Sequence, residues 1–292
     1  MQYLAHINAT GSCLATFATA LENHMYFAEP SPFMVQYDSS LTAPVMRVTI
    51  PELDDLDRES RLLLLLQGLI QDDSVSTLLN SNAVQKICFI TPHEFGEPVL
   101  GDALLESLLR DNKVAAVSFS QQPSLTANTL VLGTLVLCAD STVGAEQILA
   151  REASQLQVLD GPLGKIPGEG ACAFFVGGQT QVTEHAYAGA LHEQLQAANA
   201  TADELYLFGG TPNEAWQYHW YAASQKIYQA EDAVIEMLDP NVVCGHTGVC
   251  QPWMNLVAAI ALLRSPFHRA RQRVLMLDND NNAQLIEYAR SK

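Results

Sequence analysis

The sequence predicts an α/β protein with buried β-sheets. Short runs rich in β-branched and aromatic residues alternate along the chain with longer segments of helical periodicity. The chain has 292 residues, of which 48% are hydrophobic and 16% charged, so it is long enough to enclose a large core. No low-complexity tract or short repeat interrupts this pattern. We therefore expect a globular fold.

The predicted strands are short and apolar, and the predicted helices fall between them. Strands are expected at 45–50, 86–91, 114–119, 130–138, 171–176, 205–208 and 274–277. Helices are expected at 13–24, 58–71, 101–110, 143–154, 187–198, 213–229 and 253–263. Gly177 and Gly178, followed by polar residues, break the pattern. This break predicts two halves, residues 1–180 and 181–292.

The charge distribution argues against nucleic-acid binding and contains one basic cluster. A formal net charge of −17 argues against binding to nucleic acid, which requires an excess of Lys and Arg. One basic cluster stands out near the C-terminus. It is either a surface for an acidic partner or a solvated helix end. Its arginines are Arg264, Arg269, Arg271 and Arg273.

The cysteines and the N-terminus predict a cytoplasmic protein. The six cysteines lie mostly in apolar runs without C-x-x-C spacing, as expected for buried thiols in a reducing compartment. The first residues lack the charged and apolar regions of a signal peptide, and no apolar run approaches the ~18 residues that span a bilayer. We expect no membrane association.

Four short segments occur in an order that identifies a family resemblance. They are VLCADS at 136–141, GEGA at 168–171, LFGGTPNE at 207–214 and GHTG at 245–248. Together they resemble the β-ketoacyl synthases of the thiolase superfamily, in which a GEGA turn begins a core strand and a GHT turn presents a catalytic histidine. The motif positions that we expect to be structural are Gly168, Glu169, Gly170, Gly245 and Thr247.

This resemblance implies a fold and an assembly. It implies the thiolase-like layered αβαβα architecture, shortened here, with two related halves. It also implies dimers, homomeric or heteromeric, that pair their central strands. The densest aromatic segment supports a packed helix, because Trp216 and Trp220 fall on one helical face, which is typical of a core or a dimer contact.

The same comparison shows which catalytic groups are missing. The family nucleophile is a cysteine on a turn that enters a long helix upstream of the Asp140 region. Here 118–129 contains no cysteine, and too few residues remain before Leu130 for such a helix. The first catalytic histidine maps to Leu207, and the family lysine maps to Asn241.

His246 alone survives from the catalytic set. A complete condensation mechanism cannot be assembled from one histidine, so the sequence predicts a protein that is not an enzyme. The weaker alternative is a divergent acyl-transfer enzyme that uses His246 with a displaced nucleophile, Ser120 or Cys250. His246 itself is expected to be hydrogen-bonded within the turn that precedes a helix.

No cofactor or metal site is predicted. Gly168 and Gly170 do not complete a phosphate-binding glycine motif. The acidic run at 278–282 lacks the glycine and glutamate that a calcium loop needs. His185 and His192 lie seven apart without a zinc-binding pattern.

Two functions of a non-catalytic protein remain open. PFMV at 32–35, APVM at 43–46, PELDDL at 51–56 and NEAW at 213–216 resemble degenerate thiolase-like proteins of type VI secretion systems, which load effectors. This resemblance implies a co-chaperone or scaffold for an effector or adaptor protein. The alternative is an accessory subunit, similar to a chain-length factor, that binds an intact ketosynthase in polyketide or fatty-acid biosynthesis.

Overall fold

The structure is a computed structural model that describes most of the chain. The described residues are 1–38, 41–95, 116–120, 130–161, 163–177, 182–186, 189–201, 205–210, 214–228, 237–268, 273–277 and 283–288. Within them the chain forms two five-stranded sheets and one two-stranded sheet. The predicted helix at 101–110 lies outside the described residues, as do Arg269 and Arg271.

The elements are numbered in chain order. The strands are β1 (Gln2–Ile7), β2 (Glu29–Gln36), β3 (Thr42–Arg47), β4 (Lys86–Ile90), β5 (Ala116–Ser120), β6 (Thr134–Ser141), β7 (Glu169–Val176), β8 (Val182–Ala186), β9 (Leu205–Phe208), β10 (Met237–Leu238), β11 (Arg273–Leu277) and β12 (Ala283–Tyr288). The α-helices are α1 (Leu14–Glu22), α2 (Arg58–Gln71), α3 (Asp73–Leu79), α4 (Ala145–Leu149), α5 (Leu191–Ala197), α6 (Glu214–Tyr228), α7 (Asn241–Cys244) and α8 (Gln251–Arg264).

The two large sheets have the same topology. The strand order is β1-β7-β6-β4-β5 in the first sheet and β8-β12-β11-β9-β10 in the second. In each sheet the strand that comes last in sequence, β7 or β12, is antiparallel to both neighbours, and the remaining adjacent pairs are parallel. The chain therefore has two related halves. The predicted boundary at 180 and 181 lies between the end of β7 and the start of β8.

Helix α8 lies between the two sheets and forms the centre of the core. Its residues from Trp253 to Leu263 are all buried, as expected for a helix that is apolar on every face. Pro252 occupies its first turn, where the missing N–H costs no hydrogen bond. Helix α1 packs beside it through Phe17 and Leu21. The same cluster includes Val136 and Phe174 of the first sheet and Leu207 and Val274 of the second.

Two further helical layers cover the outer faces of the sheets. Helices α2 and α3 pack on the first sheet, with Leu62 and Leu66 against Phe89. Helices α5 and α6 pack on the second sheet, with Trp216 3.8 Å from Phe208 between ring centroids. The resulting order of layers is α, β, α, β, α. The predicted layered fold is confirmed, and Trp216 belongs to the core.

Several predicted elements differ from the observed ones. The strand expected at 45–50 belongs to β3, which ends at Arg47 and forms a separate two-stranded sheet with β2. In place of the helix expected at 143–154, the structure has the short helix α4 and a 3-10 turn at Ala153–Gln155. The chain is extended directly after this turn, where Leu156 forms a β-bridge with Lys165 and Val158 forms one with Val45. Strands β1, β2, β8, β10 and β12 and helices α3 and α7 were not predicted.

The other predicted helices and strands are present with small shifts at their ends. Helix α2 has the predicted bounds, because the Asp57 side chain caps its first turn by accepting a hydrogen bond of 2.8 Å from the Ser60 N–H. No single described helix has both the length and the apolar character to cross a membrane. Helices α2 and α3 meet that test only as a pair joined across a 72° bend.

Candidate functional site

The GEGA and GHT turns pack directly against each other. The His246 N–H donates to the Ile166 carbonyl (2.7 Å), and the Gly168 N–H donates to the His246 carbonyl (3.2 Å). A Cβ on Gly168 would lie 2.5 Å from Gly245 Cα, so two glycines are needed where the backbones touch. Gly245 also has φ +66°, a conformation that favours glycine. The two sequence motifs thus form a backbone junction between β7 and α8.

The side chain of Glu169 is buried in this junction as part of an ion pair with Arg61 of α2. It also accepts hydrogen bonds from the Ile50 N–H (2.7 Å) and the Ser141 hydroxyl (2.9 Å). In this chain the glutamate of the GEGA segment therefore links α2, β6 and β7. Gly170 lies close to Thr247, because a Cβ added to Gly170 would be 3.4 Å from the Thr247 methyl group.

Asp140 ties the end of β6 to the same junction. Its carboxylate accepts from the Arg58 guanidinium (2.8 Å), the Ser141 N–H (2.7 Å) and the Val249 N–H (2.9 Å). Burial raises the pKa of Asp140, and the positive charge and hydrogen bonds of Arg58 oppose that rise. This satisfied carboxylate is suited to holding the turn rather than to proton transfer.

His246 is a half-buried, neutral imidazole. Its Nδ1 accepts a hydrogen bond of 3.2 Å from the Gly248 N–H, so the ring proton lies on Nε2. Burial, followed by the charges of Lys165 and Arg151, lowers the pKa of His246 to about 3. At neutral pH the imidazole carries one proton, on Nε2, and can donate a hydrogen bond through it. The ring is not the doubly protonated imidazolium.

A chain of amide side chains follows His246 along the first turns of α8. The Gln251 Oε1 accepts from the Thr247 N–H (2.6 Å), and the Gln251 amide donates to Asn255 Oδ1 (2.8 Å). Asn255 in turn donates to the Gly209 carbonyl (3.1 Å). These bonds link the GHT turn to the end of β9 without a titratable group. Sequence analysis did not single out Gln251 or Asn255.

Asn241, at the position of the family lysine, makes a second link to the same loop. Its amide donates to the Gly210 carbonyl (2.6 Å) and to Asp239 Oδ1 (2.9 Å). Leu207, which the resemblance predicts to replace the first catalytic histidine, is fully buried in β9 against the central layer. Both residues serve packing or backbone hydrogen bonding in this chain.

Three cysteines near the site are fully buried. Cys138, Cys172 and Cys250 form one buried cluster, with 3.8 Å between the Sγ atoms of Cys172 and Cys250. Cys250 lies at the N-cap of α8, where a helix dipole favours a thiolate, yet burial raises its pKa well above the ordinary value. Cys138 shows the same direction for the same reason. Burial also acts to raise the pKa of Cys172, but hydrogen bonds with Cys138 and Cys250 outweigh it and lower that pKa to about 6.

The sequence has no cysteine in the stretch where the family resemblance predicts the nucleophile. Only residues 121–133 separate β5 from β6, and no cysteine occurs between Cys88 and Cys138. Ser120 is the last residue of β5 and is partly exposed. Among the residues that the structure describes, no group of three metal-ligating side chains is close enough to hold a metal ion.

The two described arginines of the basic cluster have separate structural contacts. The guanidinium of Arg264, at the end of α8, lies 5.4 Å from the centre of the Tyr3 ring. Arg273 donates to the Ala198 carbonyl (2.7 Å) at the C-terminal end of α5. The partner surface predicted from Arg264, Arg269, Arg271 and Arg273 stays a prediction.

A cavity of about 140 Å³ opens beside His246. Lys165 and Ile166, which precede the GEGA turn, form one side of it, and Asn241 and Val242 of α7 form another. Sequence analysis did not single out Lys165 or Asp239, which also lines the cavity. They meet only because the 163–166 segment and α7 are brought together by the backbone junction at His246.

Comparison with known proteins shows the fold of this chain. No protein-family model and no curated protein matches the sequence. Solved structures do match. The chain is similar to the AntDE:AntF complex of a type II PKS acyl-carrier protein with its ketosynthase bound to the hexaketide, with 10% identity, a TM-score of 0.58, and coverage of 99% of this chain and 98% of that one.

Two other solved structures also match almost the whole chain at low sequence identity. The ishigamide ketosynthase/chain length factor is 13% identical with a TM-score of 0.50, covering 98% of this chain and 97% of that one. The ketosynthase from module 1 of the bacillaene synthase of Bacillus amyloliquefaciens FZB42 is 9% identical with a TM-score of 0.54, covering 99% and 72%. The protein therefore has the thiolase-like fold of ketosynthases, over almost its whole length.

Proposed function

We propose that this protein is a non-catalytic subunit that binds an intact ketosynthase, in the manner of a chain-length factor. The observation that carries the proposal is the combination of a ketosynthase fold with a sequence that has no cysteine between β5 and β6. A fold of this size without its chemistry still offers a rigid surface for another protein.

The remaining candidate groups support a non-catalytic role. The Cys250 thiol is fully buried beside two other thiols, and Ser120 has no histidine near it in sequence. His246 is neutral and held by the backbone of its own turn. An acyl-transfer mechanism requires an activated nucleophile together with a base, and these groups do not provide that pair.

Strand β5 supports the part of the proposal that concerns a partner. It is the last strand of the first sheet, and within the described residues only β4 pairs with it. An uncovered edge strand presents backbone donors and acceptors that a strand of another chain can pair with. The similar structures include a ketosynthase/chain length factor, which favours a ketosynthase as that partner.

Type VI secretion is the second candidate function. It is favoured by the sequence resemblance to thiolase-like proteins of type VI secretion systems at 32–35, 43–46, 51–56 and 213–216. In that role the protein would bind an effector or an adaptor as a co-chaperone. The two candidates share a non-catalytic body and differ in the partner.

Identification of the partner separates them. The tagged chain is expressed in its own host, recovered under gentle conditions, and its stoichiometric partners are identified by mass spectrometry. An intact ketosynthase supports the proposal, whereas an adaptor with a secreted toxin supports the secretion role. Recovery of the chain alone, with the mass of a single 31.9 kDa protein by light scattering, contradicts both.

Two variants localise the contact. Ala116→Lys places a charge on the exposed start of the β5 edge and is expected to reduce recovery of the partner about tenfold. Ala215→Lys makes the same change on an exposed position of α6 and serves as the control. Loss of partner in both variants, or in neither, argues against β5 as the contact strand.

The absence of catalysis is tested separately with a radiolabelled acyl-carrier thioester. We expect no label to remain on the purified chain. Stable labelling that disappears on substitution of Ser120 or Cys250 would show that the protein is an acyl-transfer enzyme.

A further inference from the structure

A second cavity, of about 310 Å³, is lined by residues of the β2–β3 sheet, the start of α2 and the start of α4. It shares no lining residue with the cavity beside His246, and no residue of β5 lines it. Apolar side chains form part of its wall, and they are Phe33, Leu56 and Val143. Its charged lining residues are Arg47, Arg58, Arg61, Asp54, Asp57 and Glu146. The charges that remain unpaired among these six residues decide which ligand the cavity favours.

Two of the three arginines are neutralised by acids that do not line the cavity. Arg58 forms ion pairs with Asp140 and Glu94, and Arg61 forms one with Glu169. The other guanidinium nitrogens of both arginines donate to backbone carbonyls. Arg58 and Arg61 therefore leave little positive charge for a ligand.

Two of the three acids have no counter-charge. Asp54 lies 2.9 Å from the Arg47 guanidinium and is neutralised by it. Asp57 and Glu146 are exposed, and neither forms an ion pair within the part of the chain that the structure describes. The formal net charge of −17 adds to their negative field. Charge complementarity thus favours a cationic occupant.

Arg47 offers this occupant a hydrogen-bond donor as well. Its side chain is only 9% exposed, and its contacts with Asp54 and Glu29 all use Nη2. Nη1 makes no hydrogen bond to a described residue and is not among the buried atoms that lack a partner, so solvent reaches it. A carbonyl oxygen of the occupant can accept from Nη1. A simple cation cannot.

We propose that this cavity binds a lysine-containing segment of a partner protein. The ammonium group lies in the negative field of Asp57 and Glu146, and a backbone carbonyl of the segment accepts from Arg47. The aliphatic stem of the lysine packs on Phe33 and Leu56. The cavity volume equals that of roughly ten water molecules in the liquid, which is enough for a lysine residue and its flanking peptide groups.

The test is isothermal titration calorimetry of the intact protein with an acetylated and amidated peptide, Gly-Ser-Lys-Ser-Lys-Ser-Gly. The same peptide with norleucine in place of lysine keeps the stems without the charge, and spermidine keeps the charge without a carbonyl group. The lysine peptide is expected to bind most tightly, and the other two about tenfold more weakly. No ketosynthase takes part, so the result is independent of the proposed function.

A pair of double variants assigns the binding to this cavity. Asp57→Asn with Glu146→Gln removes the two unpaired charges and is expected to weaken binding of the lysine peptide about tenfold. Asparagine also caps helices well, so the start of α2 is preserved. Asp55→Asn with Glu152→Gln is the matched control, because it removes two exposed charges that do not line the cavity. Circular dichroism checks that both proteins are folded.

Each outcome bears on one part of the proposal. Failure of the lysine peptide to bind, or an equal loss of affinity in the two double variants, overturns the site. Equally tight binding of the norleucine peptide overturns the role of the acids. Equally tight binding of spermidine overturns a protein segment as the occupant and leaves a site for simple polyamines.

Discussion

Arg61 and Glu169 form a buried ion pair that joins helix α2 to the GEGA turn. The Arg61 Nη1 atom lies 2.9 Å from Glu169 Oε2 and 3.1 Å from Oε1. The Arg61 side chain is 3% exposed and that of Glu169 is fully buried. Arg61 also donates to the backbone carbonyls of Asp54 and Leu56, so the guanidinium is satisfied on several sides. The motif glutamate thus has a structural role that does not require catalysis.

Removal of this pair's negative charge is expected to destabilise the fold strongly. Glu169→Gln preserves the shape of the side chain but leaves the buried Arg61 cation with only the partly exposed Asp54 carboxylate, 3.7 Å away, at a cost of about 3 kcal/mol. The measurement is the free energy of unfolding from urea denaturation. Glu94→Gln is the matched control, because Glu94 pairs with Arg58 but is 56% exposed, and its loss should cost less than about 1 kcal/mol. Equal costs for the two variants would contradict a buried structural role for Glu169.

The exposure of the six thiols predicts their reactivity. Cys13 is exposed, whereas Cys88, Cys138, Cys172, Cys244 and Cys250 are buried. A thiol reagent such as DTNB reacts with the accessible thiolate, so we expect one rapid equivalent per native chain and six after denaturation.

Two substitutions check this assignment. Cys13→Ser is expected to abolish the rapid equivalent, and Cys250→Ser to leave it unchanged. Rapid reaction in the Cys13→Ser protein would mean that one of the buried thiols is accessible. Cys250 would then again be a candidate nucleophile.

The sequence was informative where structure depends on local signals. Helix α2 has a capping Asp57 and leucines at helical spacing, so its bounds were predicted to the residue. The 253–263 run, apolar except for Asn255, predicted a helix, and burial between two sheets explains why the helix is apolar on nearly every side. Strand β10 has only two residues, Met237 and Leu238, and its pairing with β9 depends on a contact distant in sequence. Such elements carry no periodic signal.

The site was predictable only in part for a similar reason. The absence of a cysteine between β5 and β6 and the Leu207 substitution are visible in the sequence. The meeting of Lys165 with His246 follows from backbone pairing of segments about 80 residues apart, and no spacing rule predicts it. The roles of Gln251 and Asn255 likewise depend on carbonyls that the fold brings to them.

Protonation of His6 is expected to make stability fall in acid. His6 is fully buried, its Nδ1 lies 2.7 Å from the Tyr3 hydroxyl, and burial lowers its pKa from 6.5 to about 4. Below pH 6.5 the unfolded chain binds a proton at His6 and the folded chain does not, so stability decreases as the pH falls from 6.5 to about 4. At 1.36 kcal/mol per pH unit the total is about 3 kcal/mol.

A pair of variants isolates this effect in urea denaturation between pH 7 and 4. His6→Gln should reduce the pH slope of stability by about one proton, whereas His219→Gln, at an exposed position of α6, should leave it unchanged. Asp239 acts in the opposite sense, because burial raises its pKa to about 6, so the difference between variants is the relevant quantity. An unchanged slope in His6→Gln would contradict a neutral buried His6.

The contact between Gly168 and Gly245 predicts that the junction of the GEGA and GHT turns does not tolerate a side chain. An alanine at 168 would overlap the Cys244 carbonyl and come 2.5 Å from Gly245 Cα, and both obstacles are backbone atoms that cannot rotate away. We expect Gly168→Ala to destabilise the protein by about 1–3 kcal/mol or more. Gly144→Ala is the control, because its Cβ would meet only the mobile end of the Gln147 side chain. Unfolding free energies from urea denaturation compare the two variants, and a Gly168→Ala protein as stable as Gly144→Ala would show that the two turns can separate without loss of the fold.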